Sequence, residues 1–342
     1  MTGQVLVSVV IPTHQRGDLL RRELEALARQ DMPPDSFEVI VSIDRSTDGT
    51  HEMLETFALP YALRIVEAPR LGRAAACNAA IDIARGEVVV ILDDDMEPRP
   101  ALLSNHYRSH PPGSMLCVMG AAPISVDADS PPVERYVAAK FNAHLARLGR
   151  PEHLFGIRDF YSGNASIRRS VLLEIGMYDE SFALYGNEDL ELCKRLRSAG
   201  VEIRFDPDAS ADQAYTKSLV RLAQDTFEKG KTAVLLAATH PDVFDDLQLA
   251  AYKAESWRWS GLRSALLAAT RNRPGFKRWV LRFALEAERM RLMQQPLFYR
   301  FLLDYFYWAG VEEALRESRP DGPLTLLAAE LERGPIGLLL HR

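Results

Sequence analysis

Apolar residues in the first two thirds of the chain fall in short, nearly unbroken runs separated by stretches of helical spacing. Val5 to Ile11 is a β-branched run ending at Pro12, the pattern of a strand buried on both faces. Leu20, Leu24 and Leu27 then repeat at helical spacing, with Asp18 near the helix start. A second buried strand, Val39 to Ile43, ends in Asp44 and the turn Ser46-Thr47-Asp48-Gly49. Ala74 to Ala84 is Ala-rich and helical, stopping at Gly86. Glu87 to Leu92 reads as a third strand that runs directly into Asp93-Asp94-Asp95, and Met115 to Met119 as a fourth. Strands alternating with helical segments predict βαβ units, hence an α/β fold with a mostly parallel sheet flanked by helices.

After Trp257 the pattern turns wholly helical. Trp279, Phe283, Ala287 and Met290 form one stripe, with Arg278, Arg282 and Arg289 on another face. This is a C-terminal all-helical appendage. Aromatic residues at such spacing predict core, so Trp279, Phe283, Tyr305 and Trp308 are expected to pack helices together. Contact with anionic lipid headgroups and a homodimer interface are the two other readings of the same surface.

Composition sharpens this division. The 342 residues carry a net charge of −6, with 47% hydrophobic and 26% charged side chains, which excludes disorder and gives no global reason to bind nucleic acid. Lys253 to Arg319 nevertheless holds 13 basic and seven acidic residues, a net of +6 that leaves −12 for the remainder, and all four tryptophans. A boundary is therefore expected near His240-Pro241-Asp242, giving domains 1–238 and 239–342. Cys77, Cys117 and Cys193 sit among apolar residues at no zinc or disulfide spacing and read as buried thiols of a reducing compartment. No apolar run reaches the roughly 20 residues of a membrane span and no signal peptide precedes the first strand, so a soluble cytoplasmic protein is expected, with peripheral membrane contact as the variant.

In an open parallel sheet, ligands bind beyond the carboxyl ends of the strands. Three such ends carry polar groups, Pro12-Thr13-His14, Asp44-Arg45-Ser46 and Asp93-Asp94-Asp95, and all three are expected on one rim. Three adjacent carboxylates repel one another, and a hard divalent cation bridging to phosphate would relieve them. A solvated acidic turn is the bland alternative, disfavoured by the preceding strand and by Pro98 and Pro100. Asp44 reads as a base- or ribose-contacting carboxylate, against a plain turn former. Gly163 in Tyr161-Ser162-Gly163-Asn164 lets backbone approach a ligand, although a tight turn needs glycine equally. Glu188, Asp189 and Glu191 crowd the first turn of a helix with Leu192 and Leu196 inward. Helix-dipole stabilisation explains such acids, yet Asp189 or Glu188 also suits a general base for a substrate hydroxyl.

Assembled in order, these segments resemble family 2 glycosyltransferases of the GT-A fold over roughly residues 5–235. Val7-Ser8-Val9-Val10-Ile11-Pro12-Thr13 is similar to the family's first strand, and Phe37 to Thr50 to its nucleotide-base motif, with Asp44 at the position that contacts uracil. Gly72-Arg73-Ala74-Ala75-Ala76-Cys77-Asn78 resembles the segment beneath the diphosphate, and Ile91-Leu92-Asp93-Asp94-Asp95 the DXD motif for ribose and metal. Ser162-Gly163-Asn164 and Gly186-Asn187-Glu188-Asp189-Leu190-Glu191-Leu192 resemble the acceptor-side motifs, in which the aspartate of the Glu-Asp pair is the base. Arg45 stands where an acid is common. Cys77 replaces a frequent arginine, so Arg73 or Arg70 takes its place at the diphosphate. A late histidine is missing from Asp208 to Gln213, with Asp212, Gln213 or water in its place.

The resemblance implies a Rossmann-like, metal-dependent, inverting hexosyltransferase, its nucleotide-binding half at about 1–95 and its acceptor half at 96–238. It also implies a nucleotide-sugar donor, UDP ahead of GDP or dTDP, and an acceptor that is a saccharide, a lipid-linked molecule or a small molecule. Asp95 and Asp93 would hold Mn²⁺ or Mg²⁺, with Pro12, Thr13, His14, Asp44, Arg73, Asn78, Asp93 and Asp94 around the donor. Gly163 and Asn164 would lie toward the acceptor, and Asp189 with Glu188 would be catalytic. A nucleotidyltransferase would show a glycine-rich basic loop after the first strand, where Thr13-His14-Gln15 stands here. A non-catalytic sugar-nucleotide-binding protein has no need of the Glu188-Asp189 pair.

Overall fold

Four parallel strands make one half of a seven-stranded sheet: β1 (Val7–Thr13), β2 (Phe37–Ile43), β3 (Ala62–Glu67) and β4 (Val88–Leu92). The computed structural model describes residues 4–252, 257–271, 274–290, 294–318 and 322–339. The other half holds β6 (Leu116–Gly120), β7 (Asn164–Arg168) and β8 (Glu202–Asp206), and the order is β3-β2-β1-β4-β7-β6-β8. β5 (Met96–Pro98) and β9 (Ala211–Gln213) pair antiparallel in a separate ribbon. The mostly parallel sheet expected from the strand–helix alternation is present. β3 and β7 were not legible as strands: β3 is a half-buried edge, and β7 reads as polar loop.

Every residue of β1 and β2 is buried, because helices cover both faces. α1 (Gly17–Leu27) sends Leu20, Leu24 and Leu27 against Val7, Val9, Ile11, Val39 and Val41. α3 (Arg73–Ile83) lies over β1 and β2 and is alanine-rich, so it can sit close to the strands. Each fully buried Val, Leu or Ile contributes about 1.5–3 kcal/mol, enough for the sheet to dominate this core. The remaining helices of the region are α2 (Thr50–Thr56), α4 (Leu102–Arg108), α5 (Pro132–Leu148), α6 (Arg169–Glu174) and α7 (Glu188–Ser198).

β7 runs antiparallel to both of its neighbours and pairs Asn164 with Leu92. This reversal brings the residues before β7 to the same rim as the ends of β1, β2 and β4. Its buried polar groups are satisfied from α4 and the turn after it: His106 Nε2 lies 2.9 Å from Asn164 Oδ1, and Ser166 Oγ lies 2.8 Å from both His106 Nδ1 and His110 Nε2. Burial lowers both histidines to about 4, so they are neutral hydrogen-bonding pieces of the core.

Two compact units divide the chain. The first runs to Asp127 and takes in Ala138–Ala183 and Glu188–Tyr215; the second holds Ala128–Val137, Leu184–Asn187 and the chain from Thr216. The expected boundary at 238 falls at the end of α8 (Leu219–Thr239), which belongs wholly to the second unit. The reason is its packing on α11 (Pro296–Glu317): a Cβ at Gly230 would collide with the Tyr307 carbonyl, and one at Gly310 with the Phe227 carbonyl. α9 (Trp257–Thr270), α10 (Pro274–Glu288) and α12 (Gly322–Leu339) complete the helical region. No described helix is long and apolar enough to cross a membrane.

A buried ion pair organises this second core. Arg263 is wholly buried, donates to Asp304 Oδ2 at 3.1 Å, and lies 4.9 Å from the Tyr252 ring and 4.8 Å from the Trp308 ring. Trp259 and Trp308 also donate to Asp304, at 3.0 and 3.1 Å. Tyr305 and Trp308 are core, as expected. Trp279 and Phe283 are not: they are 56% and 54% exposed and stack on each other, because α10 turns Val280, Ala284 and Ala287 inward instead. All three cysteines are free and buried.

Gly310→Ala should cost about 1–3 kcal/mol through overpacking of the α8–α11 crossing. It should appear as a lower thermal midpoint by calorimetry; an unchanged midpoint would show that the helices separate freely.

Candidate active site

The strand ends meet on one rim of the first unit. Thr13 Oγ1 donates to Asp94 Oδ2 at 2.9 Å, the Asp44 N–H to the Thr13 carbonyl at 2.8 Å, and the Asp93 N–H to the Gly163 carbonyl at 3.0 Å. The loops after β1 and β2 are stitched together. Gln15 donates its N–H to Ser46 Oγ and its amide to Thr47 Oγ1, each at 2.9 Å, and the Gly17 N–H reaches Asp48 Oδ2 at 3.0 Å. Gln15 and Arg45 both hold left-handed backbone, φ 56° and 51°, a strain that clusters at functional loops. Pro12 is buried inside β1, while His14 is exposed with Nδ1 2.5 Å from the Asp44 carbonyl.

Arg73, the first residue of α3, stands at the centre. Its Nε and one terminal nitrogen donate to Asp93 Oδ1 at 3.0 and 2.8 Å. The other terminal nitrogen donates to Ser162 Oγ at 3.0 Å and Asp189 Oδ1 at 3.2 Å. Ser162 also donates to Asp189 Oδ1, and the Tyr178 hydroxyl donates to Ser162 Oγ at 2.7 Å. Gly163 is required here, since a Cβ would collide with the Asp93 carboxylate. Asp93 and Asp189, 96 positions apart in sequence, are thus joined through one guanidinium.

A second guanidinium performs the same task for the rest of the triplet. Arg16 donates to Asp94 Oδ1 at 2.8 Å and Asp95 Oδ2 at 3.1 Å, and the Gln213 amide donates to Asp95 Oδ1 at 3.2 Å. Burial opposes the charge on both arginines, and their acidic neighbours outweigh it and hold both raised. Burial and the Asp93 charge push Asp95 up to about 6, against the pull of Arg16. Burial raises Asp94 as well. Glu23 of α1 lies buried behind them, with neither carboxylate oxygen hydrogen-bonded among the described residues. Burial and the three aspartates hold it well above the carboxylate range.

The remaining candidates divide. Asp44 Oδ2 accepts the Gly72 N–H at 2.9 Å, while its buried Oδ1 has no hydrogen-bond partner among the described residues. Glu188 is buried, its Oε2 equally unpartnered, and burial with the Asp189 charge pushes it up to about 7. Asp189 is the more accessible acid, its side chain 26% exposed. Asn78 and Asn164 face structure. Asn78 exchanges hydrogen bonds with the Tyr178 backbone at 3.0 and 2.9 Å, and Asn164 donates to the Ala121 and Ala209 carbonyls at 2.9 Å. Arg70 pairs with Glu180 at 3.1 Å and is mostly exposed. Arg16, Glu23 and Tyr178 escaped the sequence reading, because an arginine in a loop, a glutamate on a helix and a tyrosine in a turn carry no pattern of their own.

No cluster of three or more His, Cys, Asp or Glu among the described residues forms a metal cage. Asp95 with Gln213 beside it fits a cation that takes one or two carboxylates and completes its shell with phosphate oxygens and water. Asp212 is turned away, forked onto Arg99 at 3.0 and 2.8 Å, and Asp93 is engaged by Arg73.

The Glycosyl transferase family 2 description matches residues 8–176, which span β1 to the end of α6 and hold Asp44, Arg73 and the aspartate triplet. The chain belongs to glycosyltransferase family 2. Among its relatives is a validoxylamine A glucosyltransferase of Streptomyces hygroscopicus subsp. limoneus, 28% identical over 298 residues, 74% of this chain and 63% of that protein. A pre-mycofactocin glycosyltransferase of Mycobacterium tuberculosis is 26% identical over 73% of this chain and 52% of its own length. The chain therefore spans less than two thirds of the length of these two relatives. In fold it is similar to the mannosyltransferase PcManGT of Pyrobaculum calidifontis, solved with GDP-Man and Mn²⁺, at TM-score 0.59 and 23% identity over 93% of this chain and 89% of that one. It is also similar to S. aureus TarS 1-349 in complex with UDP-GlcNAc, at TM-score 0.52 and 16% identity over 92% of each.

Glu188 yields a pH test. A carboxyl raised from 4.5 to about 7 on folding binds more protons folded than unfolded across that interval, so its ionisation costs stability as pH rises through it. Glu188→Gln should gain thermal stability relative to the parent chain from pH 5 to pH 8; a constant difference would show that Glu188 ionises without penalty.

Proposed function

We propose that this chain transfers a sugar from a UDP-sugar to an acceptor hydroxyl with inversion at the anomeric carbon. The observation that carries the proposal is the single network in which Arg73 joins the strand-end Asp93 to Asp189, beside Asp44 and Asp95. Asp44 supports uracil: Gly72 fixes one of its oxygens, and the other is one buried acceptor for the one imide N–H that uracil offers. Arg73 replaces the arginine lost at Cys77 and places a fixed charge where the leaving diphosphate develops negative charge.

Asp189 is the base. Ser162 and Arg73 both bond Oδ1, so Oδ2 is the atom presented to the acceptor. It takes the hydroxyl proton as the acceptor oxygen bonds to the anomeric carbon and the carbon–oxygen bond to the diphosphate breaks on the opposite face. The single displacement inverts the centre, by the same in-line logic as inverting glycoside hydrolysis. Glu188, its pKa raised by burial and the Asp189 charge, is a buried support that carries less negative charge toward the diphosphate than an ordinary carboxylate would. A Mn²⁺ or Mg²⁺ held by Asp95 with Gln213 would neutralise the diphosphate as a Lewis acid. The acceptor is a saccharide, a lipid-linked molecule or a small molecule.

Asp189→Asn should lower kcat by at least about a hundredfold, the magnitude of a lost general base, with UDP affinity unchanged by calorimetry. Parent-level turnover in that variant would remove Asp189 from the role. Asp95→Ala should abolish the Mn²⁺ dependence of UDP binding; full dependence in that variant would assign the metal elsewhere.

A further inference from the structure

α10 and the turn after it leave a row of large apolar side chains exposed. Trp279, Phe283 and Met290 are 56%, 54% and 62% exposed, and the two rings stack with centroids 5.8 Å apart and planes 17° apart. Arg278, Arg282 and Arg289 repeat the same spacing one position earlier, so a basic row runs beside the aromatic row. Val280, Ala284 and Ala287 are buried, which shows that the helix already has its packing partners on the other side. Glu286 is the one acid on the exposed face of α10 itself, and it is paired to Arg289 at 3.0 Å.

We propose that this face of α10 is a seat for a bilayer surface rich in anionic phospholipid. An aromatic row flanked by arginines suits the interface between headgroups and acyl chains, with the rings at the boundary and the guanidiniums on phosphates. Charge complementarity selects this occupant over a second copy, because a second copy would bring another set of the same arginines to the contact, whereas anionic headgroups neutralise them. The chain as a whole is acidic, at −6, and has no general attraction to an anionic surface; binding must therefore come from a local feature such as this one. The helix lies on the surface and does not cross it, consistent with the lack of a spanning segment among the described residues.

Flotation of the full chain with vesicles of phosphatidylcholine, with and without phosphatidylglycerol, tests the proposal. The parent chain should float with the anionic vesicles and remain in the soluble fraction with neutral ones. Arg278→Glu with Arg282→Glu should reduce partitioning by about tenfold or more at low salt, and Trp279→Ser with Phe283→Ser should abolish it, each with a thermal midpoint matching the parent's. A parent chain that stays soluble with anionic vesicles would overturn the proposal. So would equal binding to neutral vesicles, double variants that float like the parent, or a dimer in sedimentation that the Trp279 and Phe283 substitutions dissolve.

Discussion

Four carboxylates at one sheet rim could not remain charged and close without positive charge fixed among them, and two arginines supply it. Arg73 spans Asp93 and Asp189; Arg16 spans Asp94 and Asp95. Neither arginine comes from the strands that carry the aspartates. Arg16 stands in the loop after β1 and Arg73 opens α3, so the rim holds together only when the β1, β2 and β4 segments are in register. In partly buried surroundings an unpaired ion costs several kcal/mol, which makes these pairs a condition of the fold as much as of the site.

The arrangement also defines what the rim can accept. Each guanidinium already bonds carboxylates, and a diphosphate entering the site offers anionic oxygens that the same fork of N–H groups can take in pairs. Ser162 and Tyr178 extend the Arg73 network inward, fixing one oxygen of Asp189. Asp44 Oδ1 and Glu188 Oε2 are buried acceptors without partners among the described residues. The residues proposed for the donor and for the acceptor are therefore joined mechanically through Arg73.

Much of this was legible in the sequence, and the remainder had physical reasons to be silent. β1, β2 and β4 announced themselves because both faces are buried, and their polar ends followed from the alternation of strand and helix. β7 did not, because Asn164 and Ser166 interrupt its buried Ala165 and Ile167 with polar groups that are hydrogen-bonded to two neutral histidines. The motif at Ser162–Asn164 was noticed, but Asn164 turned out to hold two backbone carbonyls while Ser162 reaches Asp189. Arg16 and Tyr178 are set by tertiary placement alone. In the helical region, periodicity identified the stripe of Trp279 and Phe283 but not which way it faces: α10 buries its small residues and leaves the rings outside. The composition shift near 240 marked a change in charge, whereas the compact units separate at Thr216, where α8 joins α11 through paired glycines.

The central claim is that this rim is a nucleotide-diphosphate site built from Asp44, Arg73 and the aspartate triplet. A crystal structure of the chain grown with UDP and Mn²⁺ tests it most directly. The account requires the uracil imide on Asp44 Oδ1, the diphosphate beside Arg73 and the cation on Asp95. Nucleotide bound elsewhere, or at this rim with Arg16 and Arg73 still closed on their aspartates and no cation at Asp95, would contradict it.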